Sequence, residues 1–163
     1  MSLTFVVGRA ADVFGAALAD AVDAALRARF PSLSLGGGEP YHSDPVEFSG
    51  WRDLASRAPA LANVEPYQAV FVPAGVAGVE TLPIANAADP LQVASLDGLL
   101  ESLRAFAGEN ALPTDDVELM GLAAKYLEDD LLISDDLDVQ TYVQLMLSAK
   151  QAAATRRALW IVA

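Results

Sequence analysis

The single histidine of the chain, His42, lies among residue types that support acid–base chemistry. Ser43 and Asp44 follow it directly, and Glu47 and Ser49 come soon after. A histidine beside a carboxylate is the usual general base, and a serine within hydrogen-bond reach would be its nucleophile. The chain has no Gly-x-Ser-x-Gly turn, however, which is the usual mount for such a serine. We therefore interpret His42 as a loop residue without a catalytic role.

Aromatic residues near His42 support a second interpretation, a small ligand site. Tyr41 precedes the histidine, and Trp51 follows beyond Asp44. Aromatic rings at such spacings belong to a protein core more often than to a pocket. An enzyme or ligand-binding domain with its site around Tyr41, His42, Asp44 and Trp51 is therefore the alternative hypothesis and not the preferred one.

The acids of the chain are concentrated in residues 109–138. This range contains ten acids and one base, Lys125, and no acid follows it. Capping and the helix dipole account for acids that begin helices. They do not account for Glu128, Asp129 and Asp130, because negative charge is unfavourable at a helix C-terminus, where the pattern places these three. A solvated face is the ordinary interpretation of such acids, and a surface that attracts a basic partner is the functional interpretation.

The preferred hypothesis is accordingly a non-enzymatic protein-interaction domain. Its acidic face, residues 109–138, would bind a basic protein through electrostatic complementarity. Immunity proteins that neutralise basic toxins use the same electrostatic principle, and charge is the only basis for this likeness. The residues expected to make the contact are Glu128, Asp129, Asp130, Asp135 and Asp136.

No metal or cofactor is expected from the motifs. A calcium loop beginning at Asp129 would need Gly at its sixth position and Glu at its twelfth, where the chain has Ser134 and Gln140. The chain has no cysteine, which excludes disulfides, thiolate zinc sites and iron–sulfur clusters. The glycines at 36–38 are followed by Glu39 and not by the Gly-Lys-Ser/Thr of a phosphate-binding loop.

Composition and charge exclude further classes. The formal net charge of −12 disfavours binding to nucleic acid or to an anionic membrane surface. The 163 residues are 53% hydrophobic, which predicts one globular domain over residues 1–163. The N-terminus lacks the basic region and cleavage site of a signal peptide, so a cytoplasmic protein is expected. Abundant alanine and an excess of arginine over lysine are typical of GC-rich bacterial genomes. The sequence leaves the oligomeric state open. A third hypothesis is that the acidity serves solubility alone and that the chain functions as a homo-oligomer formed through its apolar helical face.

The elements that would position these residues alternate along the chain. Apolar runs at 3–7 and 158–163 predict buried strands near its two ends. Residues 67–72 and 79–85, separated by a glycine-containing turn, predict a β-hairpin. Apolar periodicity predicts helices at 11–30, at 49–57, from Ser95 to Gly108, from 114 or 115, and from 136 or 138.

Residues 31–48 are predicted to be mainly a loop, in which 32–35 is a candidate edge strand. The expected fold is therefore α+β. It has a small mixed sheet of about four strands, formed by the central hairpin and the two terminal strands, packed with about five helices.

Overall fold

The computed structural model describes residues 1–128 and 136–163, in which five α-helices cover the two faces of a seven-stranded mixed sheet. The strands are β1 (Ser2–Gly8), β2 (Tyr41–His42), β3 (Val46–Glu47), β4 (Ala69–Val72), β5 (Val79–Leu82), β6 (Leu91–Ser95) and β7 (Ala158–Val162). The helices are α1 (Ala16–Arg29), α2 (Phe48–Ala55), α3 (Leu96–Glu109), α4 (Asp116–Glu128) and α5 (Leu137–Thr155). The mixed α and β character predicted from the sequence is confirmed.

The strand order is β2-β1-β7-β4-β6-β5, and β3 also pairs with β1. The two predicted terminal strands are confirmed, and the structure shows that they are antiparallel neighbours, with Val6 opposite Trp160. Successive side chains of a strand point to opposite faces, so Phe5 and Val7 enter the core beneath α2, α3, α4 and α5, while Val6 enters the core beneath α1. Helices on both faces explain why the terminal strands are continuously apolar.

The prediction of about four strands is wrong, and so is the predicted hairpin. Strands β4 and β5 are separated by β6, which runs parallel to β4 and antiparallel to β5. Strand β6 ends at Ser95 and leads directly into α3. The short apolar pattern of β6 therefore merges with the start of the helix. Helix α1 begins at Ala16, later than predicted, because residues 10–12 form a separate 3₁₀ turn.

The predicted loop at 31–48 contains an edge of the sheet. Strands β2 and β3 both pair with β1, with His42 opposite Val6 and Val46 opposite Leu3. This edge holds one more residue between the two pairs than β1 does, which defines a β-bulge. Two-residue strands are too short for a periodic pattern, which is why the sequence did not predict them. The candidate strand at 32–35 is not one in the structure.

Two helix starts follow the predicted capping. The Ser95 hydroxyl accepts a hydrogen bond from the backbone N–H of Gly98 at 3.4 Å, at the start of α3. A carboxylate oxygen of Asp115 accepts from the N–H groups of Val117 and Glu118 at 3.1 and 3.2 Å, at the start of α4. These bonds satisfy backbone donors that a helix leaves unpaired in its first turn.

Gly50 permits the close approach of α2 to α5. A Cβ atom at this position would overlap the carbonyl of Leu137 and the hydroxyl of Thr141. Neither group is free to move, because the Thr141 hydroxyl donates to the Leu137 carbonyl at 2.8 Å. The crossing of these helices therefore requires glycine at position 50.

The variant Gly50→Ala is expected to lower the free energy of unfolding by about 1–3 kcal/mol, since one added methyl group overpacks the crossing. Gly121→Ala is the matched control, because a Cβ there has no atom within 4 Å. The control should gain up to about 1 kcal/mol from helix propensity. Urea denaturation measures both, and equal midpoints for the two variants would contradict the close packing at Gly50.

Candidate functional site

The solvent-facing side of α4 carries a line of exposed apolar side chains. Val117, Met120 and Leu127 are 74%, 55% and 62% exposed. Gly121 and Ala124, also exposed, lie between them at helical spacing, so the five residues share one side of the helix. We call them the α4 stripe. An exposed, contiguous apolar surface of this kind marks an interaction site more often than an isolated exposed leucine does.

The opposite side of α4 faces the core. Leu119 is fully buried, and Leu122 and Ala123 pack against the same cluster. Sequence periodicity also predicts Leu127 on this buried side, which is wrong, since its side chain is mostly exposed. The sequence does contain a sign of the exposed stripe: Val117 and Met120 lie outside the predicted core face, so α4 has apolar residues on both sides.

Acids flank the N-terminal end of the α4 stripe. Asp115, Asp116 and Glu118 are all exposed there. Asp116 forms an ion pair with Lys150, whose ammonium group also donates to the carbonyl of Thr114 at 2.7 Å. The Asp115 carboxylate caps the start of α4. None of the bases that the structure describes forms an ion pair with Glu118.

A further exposed acid lies at the start of α5, the helix that packs against α4. It is Asp136, immediately before α5. Burial raises the pKa of Tyr126 on α4, and the charge of Asp136 raises that pKa further. Asp138 is different, since it forms an ion pair with Arg57 and is largely covered. Glu118 therefore lies beside the N-terminal end of the stripe, and Asp136 begins the helix that packs against α4.

The structure places two of the five acids predicted to contact a partner. Glu128 is the last residue of α4, and Asp136 precedes α5. Asp129, Asp130 and Asp135 lie outside the described residues.

The alternative site around Tyr41 is divided between core and surface. Trp51 is 2% exposed, and its ring centroid lies 6.1 Å from that of Phe5 in the core. His42 is exposed, whereas Tyr41 and Asp44 are partly buried. None of the four side chains lines the cavities found next to α1 and next to the start of α3. The indole of Trp51 is thus used for packing.

Asp44 takes part in a polar network that holds the bulge against α5. Its backbone N–H donates to Gln144 Oε1 at 3.1 Å, and Gln144 Nε2 donates to Asp44 Oδ2 at 3.2 Å. Ser148 donates to the Gln144 carbonyl at 2.7 Å. Burial raises the pKa of Tyr41, and the charge of Asp44 adds to that rise, although a hydrogen bond with Ser148 opposes it. The network satisfies buried polar groups, which is a structural role.

The glycines at 36–38 have a packing role as well. A Cβ at Gly36 would overlap the carbonyl of Thr155, and Gly38 has a φ of 125°. The buried guanidinium of Arg157 lies against this run and donates to the carbonyl of Glu39 at 2.6 Å. The run therefore closes over the corner between α5 and β7.

Tyr142 fixes the loop that leads into α4. Its side chain is fully buried on α5, and its hydroxyl donates to the carbonyl of Pro113 at 2.7 Å. Burial raises the pKa of Tyr142 to about 12. The bond ties α5 to the residues just before Asp115, so it sets where α4 begins.

Alkaline pH is expected to lower the free energy of unfolding through the ionisation of Tyr142. An unfolded tyrosine ionises near pH 10, so above about pH 10 the unfolded chain loses a proton that folded Tyr142 keeps until about 12. Stability is then lost as pH rises through this window, by about 1.4 kcal/mol per pH unit from this group. Urea unfolding at several alkaline pH values should show a shallower decline in Tyr142→Phe. Parallel declines in the two proteins would contradict a buried, protonated phenol.

Among residues 1–128 and 136–163, no three His, Asp or Glu side chains come together as ligands for a metal ion. In the same ranges no helix combines the length and the apolar character needed to cross a lipid bilayer. Comparisons of the chain with protein-family models, with curated proteins and with solved structures found no match.

Proposed function

We propose that this chain is a protein-interaction domain that binds a basic, amphipathic segment of another protein on the α4 stripe. One observation supports the proposal above the others: the helix that carries the exposed apolar stripe also carries the exposed acids Asp116 and Glu118 in its first turn. The apolar side chains would supply the desolvated centre of the interface, and the acids would supply its polar rim.

The charge of the chain supports a basic partner. Its formal net charge is −12, so the long-range field attracts cations and accelerates their encounter. Lysine or arginine on the partner would meet Glu118 on α4 and Asp136 at the start of α5. A basic toxin neutralised by an immunity-like protein is one partner class with this chemistry.

The proposal can be tested with two synthetic helical peptides. Each has a leucine face, and the opposite face carries lysine in one peptide and glutamate in the other. Fluorescence anisotropy of the labelled peptides is expected to show binding of the lysine peptide alone. Equal affinity for the two peptides would contradict the role of the acids.

A second variant separates docking on the stripe from simple charge attraction. Met120→Asp adds a negative charge, so purely electrostatic binding of the lysine peptide would become tighter. Docking on the stripe predicts the opposite, a loss of about tenfold or more, because a carboxylate then lies in the apolar centre. Tighter binding by this variant would overturn the proposed interface.

A further inference from the structure

A cavity of about 450 Å³ lies between α1 and the loop that joins β5 to β6. Its volume falls in the range of about 300–1,000 Å³ typical of small-molecule sites. It is on the face of the sheet covered by α1, whereas α4 packs on the other face. Its apolar wall includes Phe14, Leu18, Val22, Ile84, Pro90 and Leu91.

The floor of this cavity is fixed by the core. Val22, Ile84 and Leu91 are at most 8% exposed and belong to the core beneath α1. The ring of Phe14 meets that of Trp160 edge to face, with centroids 5.5 Å apart. Leu18 and Tyr67, by contrast, are 37% and 48% exposed. A buried apolar floor beside more exposed apolar residues is typical of an open pocket.

Polar residues also line the cavity. Tyr67, Gln68, Asn86 and Asp89 all line it. Asn86 has a φ of 62°, a left-handed conformation that is uncommon outside glycine and in which asparagine is enriched. These groups offer a ligand a phenol, two amides and one carboxylate, whereas no lysine or arginine lines the cavity.

We propose that this cavity binds a small apolar molecule that carries an amine. The apolar body would lie against Phe14 and Leu91, and the ammonium group would pair with Asp89. An anionic ligand is disfavoured, because Asp89 would repel it and no lysine or arginine lines the cavity to compensate. The site is separate from the α4 stripe, so either proposal can fail without the other.

Displacement of a neutral fluorescent probe tests the charge preference. N-phenyl-1-naphthylamine, which brightens in apolar sites, is bound first and then displaced by octylamine, octanol or octanoate. Because the three competitors share one alkyl chain, they differ mainly in charge at neutral pH. Octylamine is expected to displace the probe best and octanoate worst. Equal or better displacement by octanoate would overturn the proposed ligand class.

Variants locate the binding site. Ala17 lines the cavity and is exposed, so Ala17→Trp should fill the cavity without disturbing the core and should lower probe affinity about tenfold or more. The matched control is Ala105→Trp, on the exposed side of α3. Asp89→Asn should weaken octylamine about threefold and leave octanol unchanged, as expected for a solvent-exposed charge pair. Probe binding that is equal in Ala17→Trp and Ala105→Trp would overturn the assignment of the site.

Discussion

Replacing Trp51 by alanine is expected to lower the free energy of unfolding by about 3–5 kcal/mol, because it removes a large buried ring. Trp51 is 2% exposed and packs against Phe5, whose side chain is fully buried. A loss of this size is a large part of the roughly 5–15 kcal/mol that stabilises an ordinary domain. Urea denaturation followed by circular dichroism measures it.

His42→Ala is the companion variant. His42 is exposed, so its replacement should change stability by less than about 0.5 kcal/mol. The pair of variants separates the alternative ligand site from the core. Equal stability of the Trp51→Ala and His42→Ala proteins would show that the indole is not part of the core. It would then favour the alternative ligand site around Tyr41, His42, Asp44 and Trp51.

Reversing the charges of Glu118 and Asp136 is expected to weaken binding of the lysine peptide about tenfold or more. The variant is Glu118→Lys with Asp136→Lys, two exposed acids whose loss removes no side-chain cap found in the structure. Most of the loss should appear as slower association at low salt, and it should shrink as salt screens the charges. Stopped-flow fluorescence gives the association rate.

The control for charge reversal is Asp97→Lys with Glu101→Lys on α3. Both residues are exposed, and Asp97 lies in the first turn of its helix as Glu118 does. The two double variants change the net charge equally. An equal loss of affinity in both would show that net charge alone, and not the position of the acids beside the stripe, determines binding.

Those parts of the fold with long or well-capped patterns could be predicted from the sequence. The strand at 158–163 and the helix after Ser95 are examples, because continuous apolar character and a capping hydroxyl are local properties. The pairing of β4 with β6 could not be predicted in this way. It depends on contacts between distant residues, and a glycine-containing turn between two strands favours the simpler hairpin.

The candidate site was predicted only in part. The segregation of charge in residues 109–138 indicated the segment that contains α4, because charge can be read from the sequence alone. The exposure of Leu127 could not be inferred, because a helix that is apolar on both sides does not show which side the rest of the chain covers. The cavity beside α1 was missed for a related reason: its walls come from three separate parts of the chain.

Site-specific photo-crosslinking from position 120 tests directly whether a basic protein docks on the α4 stripe. A benzophenone amino acid replaces Met120 in one protein and Ala105, on α3, in a control. Both are irradiated in lysate of the cells that make the chain, and adducts are identified by mass spectrometry. Docking on the α4 stripe predicts that a basic protein crosslinks only from position 120 and that this crosslink is lost when Glu118 and Asp136 are changed to lysine. Crosslinks of equal yield from both positions, or an acidic protein at position 120, would contradict it.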